Sequence, residues 1–314
     1  MTLLSLICVL VLEQFRALPA AQVAAALTAY TGFLERRFDG GEFRHGMIAW
    51  IAGVALPALL TLGLHLLLAY VHPVLAFVFD IAVLYLLLGF RQFSHYFTDI
   101  QLALRMGELD RARRLLEEWR GQRAERLSSS EIARLSIEQG ILSSHRHVFA
   151  PLFWFLALGP AGAVLYRLAL VAQQDWGHAG SPVEGHPQFV EFSRRAFHVL
   201  DWLPARMTAA TFAIVGDFED AVYCWRTQAS QWAQSYDRAT GILLSSGAGA
   251  LGIRLGMPLP DTGEMGGIEA RPELGLGDDA DVEHLQSAIG LVWRALVLCL
   301  LLLALLTVAS WVGA

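Results

Sequence analysis

His65 and Asp80 are the residues of this chain best placed to do chemistry, because each stands in an otherwise apolar run. An ionisable side chain in such a run marks a functional position by default. His65 comes late in the first run and Asp80 early in the second, at similar distances from the break Val71-His72-Pro73. Folded as antiparallel helices, the runs turn these two side chains toward each other, and a His–Asp pair satisfies both groups in a low-dielectric setting. Two roles stay open, a structural polar clasp and a proton-sensing pair.

Other chemistry-bearing stretches are weaker. His145 and His147 stand two apart, do not share a helix face, and flank Arg146 as an interfacial anchor directed at lipid phosphate. Asp278, Asp279, Asp281 and Glu283 offer carboxylate oxygens of the kind Mg²⁺ takes. Their plainer reading is a solvated turn whose negative charge favours the positive end of the following helix. Cys8, Cys224 and Cys299 form neither a metal-ligand pattern nor a disulfide framework, so no metal site is expected. All 23 basic residues are arginine, which excludes a Walker A lysine and any Schiff-base lysine.

The elements that position these residues belong to a membrane. The chain has 314 residues, of which 55% are hydrophobic and 17% charged, against about 25% charged in soluble domains. Its mean hydropathy is +0.47. Met47–Tyr70 and Val74–Phe90 are each near the roughly 20 residues a helix needs to cross hydrocarbon, and together they form a transmembrane hairpin. Val148–Val171 and Leu291–Val312 complete a count of four spans, with Phe197–Val215 in or at the membrane. The N-terminal run Met1–Leu12 lacks a basic flank and reads as a packed or partly inserted helix rather than a cleaved signal.

Arg36, Arg37 and Arg44 precede the hairpin, the stretch from Arg91 through Arg146 holds ten arginines, and the hairpin tip has none. The positive-inside rule places both flanks in the cytoplasm. The expected fold is an all-α, polytopic helical membrane protein with a cytoplasmic helical segment. Its divisions are an N-terminal helical region (1–46), the hairpin (47–90), the cytoplasmic segment (91–147), a membrane region (148–215), a water-facing helix with a Gly-rich loop (216–288) and a closing transmembrane helix (289–314). The expected location is the cell inner (plasma) membrane, with the lipid bilayer as partner. A net charge of −6 leaves no basic footprint for nucleic acid.

Within the cytoplasmic segment, Leu102, Met106, Leu109, Ala112, Leu116 and Trp119 step by three and four as one apolar stripe. Ser128-Ser129-Ser130-Glu131 matches a capping box opening a helix toward Ser144. After Gly247 the chain reads as a loop, with nine glycines and three prolines up to Gly277.

Several stretches in order resemble the CobD/CbiB superfamily of membrane proteins, which includes adenosylcobinamide-phosphate synthases and AmpE-type proteins. They run from Ala103 to Arg113, then Ile137-Glu138, Ala150-Pro151-Leu152-Phe153-Trp154, Gly159 to Tyr166-Arg167, Leu203-Pro204-Ala205-Arg206 and Gly247 to Gly256. The resemblance implies, for the synthases, ATP-dependent joining of an amino-alcohol phosphate to a corrinoid carboxylate. A triphosphate in such a site normally needs Mg²⁺ held by acidic residues.

Against the synthase pattern Glu-Ser-x-x-Glu-Asn-x-x-Asp-Gly, this chain keeps Glu138 but carries Leu142, Ser143, Arg146 and His147. Phe197-His198 replaces an Asp-Asp, and Leu170-Val171-Ala172-Gln173 replaces Asn-Thr-x-Asp. The resemblance therefore implies a member without synthase activity, acting as an AmpE-like sensor or signalling modulator, a reading the stretch His198 to Pro204 favours. The alternative is a divergent corrinoid ligase, for which alone Mg and ATP would be required. Glu138, Tyr166, Arg167, Asp201 and Arg206 are the candidate ligand-binding residues, with a small anionic ligand or a protein as partner. An arginine at a membrane boundary binds carboxylate or phosphate in bidentate fashion, so Glu138, Arg167 and Arg206 are expected to line one polar pocket.

Overall fold

The computed structural model describes residues 2–15, 20–38, 40–88, 90–176, 186–232, 237–260, 268–269 and 271–312. It opens with α1 (Thr2–Phe15), α2 (Ala20–Phe38) and α3 (Phe43–Trp50), and α3 runs through a π-helical turn, Ile51–Ala55, into α4 (Leu56–Val71). Next come α5 (Pro73–Leu87), α6 (Phe90–Arg105), α7 (Leu109–Arg120) and α8 (Ser129–Ser144). A second π-helical turn, His145–Phe149, leads into α9 (Ala150–Leu158), α10 (Pro160–Asp175), α11 (Pro187–Val215), α12 (Phe218–Trp232) and α13 (Arg238–Leu251). Five short strands follow: β1 (Ile253–Leu255), β2 (Leu259–Pro260), β3 (Ile268–Glu269), β4 (Leu274–Gly275) and β5 (Asp278–Asp279). The closing helix is α14 (Val282–Val312). The fold is all-α in class, with the strands as a minor addition.

Among the described residues, two helices are long and apolar enough to cross a membrane, Phe43–Val71 with a mean hydropathy of 2.1 and Val282–Ala309 with 2.6. Leu3–Glu13 and Pro73–Leu87 are apolar but shorter. The long helices leave their leucines uncovered: Leu60 is 65% exposed and Leu306 67%. Continuous apolar surface of this kind suits hydrocarbon and not water.

The hairpin turn is tighter than the three-residue break in the sequence suggests. His72 alone separates α4 from α5, in an extended conformation, and its Nδ1 accepts from the Val74 N–H at 3.2 Å. Pro73 opens α5, where its missing N–H costs nothing. The span expected over Val148–Val171 is not one helix. Gly159, at φ +64°, ends α9 after 9 residues, and α10 starts at Pro160. A Cβ on Gly162 would lie 2.0 Å from the Trp154 carbonyl oxygen, so α9 and α10 fold back on each other at backbone contact.

The chain forms two compact units, one of residues 1–91 with 146–204 and one of residues 92–145 with 205–314. In the first, α10 is the central helix and packs against α2, α4, α5 and α9. Its buried core includes Tyr166, Trp176, Phe189 and Phe197. Trp176 Nε1 donates to the Thr31 carbonyl at 3.1 Å, and the Thr31 hydroxyl donates to Asp175 at 2.8 Å. These bonds fasten the end of α10 to α2.

In the second unit, α8 packs against α7, α13 and α14, and α12 lies along α13. The capping box at α8 is present: the Glu131 N–H donates to Ser128 Oγ, and the Ser128 N–H donates to Glu131 at 2.7 Å. The apolar stripe of the same region is interrupted. α6 ends before Met106, Gly107 turns at φ +75°, and Leu102 and Met106 are exposed while Ala112 and Leu116 are buried.

The Gly-rich stretch also departs from expectation. Helix α13 continues through Gly247 and Gly249 to Leu251, because small residues let it approach α12: a Cβ on Gly249 would meet the Asp220 carbonyl at 2.5 Å. Beyond it, β1 pairs antiparallel with β4 and parallel with β5, and β2 pairs with β3. Residues 261–267 of this stretch lie outside the described residues. Asp281 accepts from the N–H groups of Glu283 and His284 at 2.9 and 3.2 Å, a use of its charge at the start of α14.

Candidate functional site

In the first unit, polar side chains gather on α10, the second π-helical turn and α11. Tyr166 and Arg167 are consecutive on α10, where nearly every side chain from Pro160 to Ala172 is buried. The Tyr166 hydroxyl donates to Asp201 Oδ1 at 2.8 Å, with both side chains buried. Arg167 donates to His147 Nδ1. An arginine cannot accept, so Nδ1 is the unprotonated nitrogen and the imidazole carries its proton on Nε2. The result is one guanidinium and one carboxylate held within a largely apolar bundle.

His65 Nδ1 lies 2.9 Å from Asp80 Oδ1 across the hairpin. Asp80 is buried and His65 is partly open.

The second unit contains Glu138 and Arg206. Glu138 is buried on α8, where its Oε1 accepts from the Gly256 N–H at 2.9 Å and its Oε2 accepts from Arg271. Arg206 stands half-buried on α11, two residues after Pro204. The structure thus brings Tyr166 to Asp201. It gives Glu138 to Arg271 rather than to another predicted residue, and it divides Arg167 and Arg206 between the two units.

His145 is also not the surface anchor read from sequence. It is fully buried and shares a 3.0 Å hydrogen bond with Thr208. Arg271 was invisible to sequence reasoning, because it lies 133 residues from Glu138 within a stretch that reads as connector. Its only signal is being the one arginine between Arg254 and Arg294.

Among the described residues there is no group of three or more His, Cys, Asp or Glu side chains arranged to hold a metal. Glu138 and Asp201 both have protein partners. Both Glu138 oxygens are engaged, and the guanidinium on one of them repels a cation. Asp201 already serves a tyrosine hydroxyl.

A family model described as CobD/Cbib protein matches residues 5–292. This chain belongs to the CobD/CbiB family. The CobD/CbiB relatives include a "Cobalamin biosynthesis protein CobD" of Stutzerimonas stutzeri, 34% identical over 274 residues and 86% of each chain. A protein of the same name from Chromobacterium violaceum is 35% identical over 224 residues, covering 71% of this chain and 69% of its own. One from Photorhabdus laumondii is 29% identical over 217 residues. No solved structure matches this CobD/CbiB chain. None of these relatives lends support to the AmpE-like sensor expected from the His198–Pro204 stretch.

Proposed function

We propose that the chain is a multi-pass inner-membrane protein of cobalamin biosynthesis that binds a corrinoid, or the phosphorylated compound joined to it, without itself performing Mg-ATP-dependent ligation. The observation that carries the pathway is the family match across nearly the whole chain, to relatives named for cobalamin biosynthesis. The expectation of no ligation is supported by the occupied Glu138 carboxylate and by Leu142, Arg146, Phe197 and His198 at positions where the resemblance places polar or acidic groups in the synthases. Purified full-length protein, given a corrinoid, Mg-ATP and an amino-alcohol phosphate, is expected to retain the corrinoid through gel filtration and to form no amide. Product formation overturns this reading, and so does failure to retain any corrinoid.

A second reading, a divergent ligase, is favoured by the name and 86% coverage of the S. stutzeri relative and by the retained Pro204-Ala205-Arg206. Rescue of a strain lacking the synthase would select it.

The membrane topology gives a separate expectation. With Cys8, Cys224 and Cys299 replaced by serine, an Arg120→Cys variant resists an impermeant maleimide in intact cells and reacts once they are permeabilised. Labelling of intact cells reverses the orientation. The native Cys224 is itself a poor target, since burial pushes its thiol up to about 11 and a thiol must ionise to attack.

A further inference from the structure

In the first unit, α3 and α11 start side by side. A Cβ on Gly41 would meet the His186 ring at 3.6 Å, one on Gly46 would meet the Phe189 carbonyl, and the Trp50 and Phe192 rings lie 5.6 Å apart. The partners advance together along both stretches, so the two helices run in the same direction. Both then change character on their exposed face within one turn. Exposed Arg44 is followed by exposed Ile48 and Ile51, and exposed Arg195 by exposed Val199 and Trp202, with Val199 73% open. Steps of four and seven keep each set on one helix face. Arginine giving way to uncovered apolar side chains, on two adjacent helices, is the pattern of a boundary between headgroup and hydrocarbon.

The length of the span agrees. Phe43–Val71 has 29 residues, about 43 Å of helix, which matches a bilayer together with its headgroup layers. Phe43 then stands in one headgroup layer and the arginine-free hairpin tip in the other. Arg195 is six residues beyond Phe189, yet its guanidinium lies 6.0 Å from the centre of the Phe43 ring, which precedes Gly46 by three residues. Its side chain therefore runs back toward the start of α11, as helical side chains do, and lifts the charge to the Phe43 level as a snorkelling arginine does.

Positive charge is in excess there. Glu191 lies 2.6 Å from Arg195 and 3.9 Å from Arg194, so one carboxylate serves two guanidiniums. Helix α2, which packs against α3, ends in exposed Arg36 and Arg37. The acids open to solvent at this end are Glu42 and Glu191, Glu35 is buried, and Asp39 lies outside the described residues.

We propose that the surface around Phe43 binds anionic phospholipid headgroups, with Arg44, Arg194 and Arg195 on the phosphate oxygens and Phe43 at the acyl boundary. The occupant is a membrane lipid rather than a soluble anion, because the same face turns apolar directly below the charge and meets acyl chain there. An anionic lipid is favoured because the surplus arginine charge is not neutralised by a zwitterionic headgroup. The inference rests on the inner-membrane reading given under Proposed function.

The test is native mass spectrometry of the full chain in detergent, titrated with phosphatidylglycerol, phosphatidylcholine and soluble glycerol 1-phosphate. Phosphatidylglycerol is expected to bind at least about tenfold more tightly than phosphatidylcholine, since each arginine at an anionic surface contributes about fivefold. Arg44→Gln/Arg194→Gln/Arg195→Gln closes that gap, while Arg111→Gln/Arg114→Gln/Arg226→Gln, at exposed positions of α7 and α12, keeps it. Glu191→Gln frees both guanidiniums and tightens phosphatidylglycerol binding, so it decides the matter should the first triple variant fail to fold. Equal binding of the two phospholipids, glycerol 1-phosphate binding as tightly as phosphatidylglycerol, or an unchanged affinity in Glu191→Gln each overturn the inference. Reconstitution into phosphatidylcholine nanodiscs separates the two ways of failing. A chain that stays outside the discs overturns the membrane reading and this inference with it, whereas one that enters them and shows no lipid preference overturns this inference alone.

Discussion

Glu138→Gln is expected to destabilise the protein by about 3–5 kcal/mol, the range found when one partner of a buried ion pair is removed. Glutamine keeps the size of the side chain and an oxygen for the Gly256 N–H, so the change isolates charge. It leaves Arg271 and Arg134 both buried without the carboxylate whose charge offsets theirs. Urea unfolding of the detergent-solubilised chain, followed by tryptophan fluorescence, measures the loss. Removing the second charge as well, in Glu138→Gln/Arg271→Met, should recover part of it, and the double-mutant cycle gives the coupling. Equal stability of parent and Glu138→Gln would mean that the carboxylate does not hold these arginines.

Gly46→Leu should cost about 3 kcal/mol, the upper part of the usual range for overpacking. A Cβ at Gly46 falls 2.0 Å from the Phe189 carbonyl oxygen, so the obstacle is backbone of α11 and no rotamer change relieves it. Close approach at a small residue is a common way for apolar helices to associate. Gly63, on the same continuous run of helix, has nothing within 4 Å of its added Cβ. Gly63→Leu is therefore the control and should change stability little. The Trp176–Phe189 ring pair, 5.3 Å apart, reports displacement of α11 through tryptophan emission. A Gly46→Leu protein as stable as Gly63→Leu would contradict the contact.

Features set by neighbouring residues are legible in the sequence. The capping box at Ser128 and the break at His72-Pro73 are local chemistry, and the long apolar runs mark helices whatever surrounds them. The order of family-like stretches points to CobD/CbiB from residue types alone. Features that depend on distant chain are not legible. Gly159-Pro160 is a short dipeptide inside an apolar run, so a two-helix return reads as one span. Strands of two or three residues are too short for an alternating pattern to register. The partner of Glu138 lies 133 residues away, and no spacing rule reaches that far. The stripe from Leu102 to Trp119 keeps helical periodicity across Gly107, where the backbone itself turns.

The interleaving of the two units bears on how the protein is made. The chain passes from one unit to the other at 91–92, 145–146 and 204–205, so residues 1–145 complete neither. The hairpin of α4 and α5 closes through one residue and can form at once, whereas the helix it packs on, α10, arrives later. The bond from Thr31 to Asp175 joins residues 144 positions apart. For all of that interval the inward faces of α2, α4 and α5 lack their protein neighbour. Until α10 is made those faces need another apolar cover, so the core of the first unit stays provisional through most of synthesis.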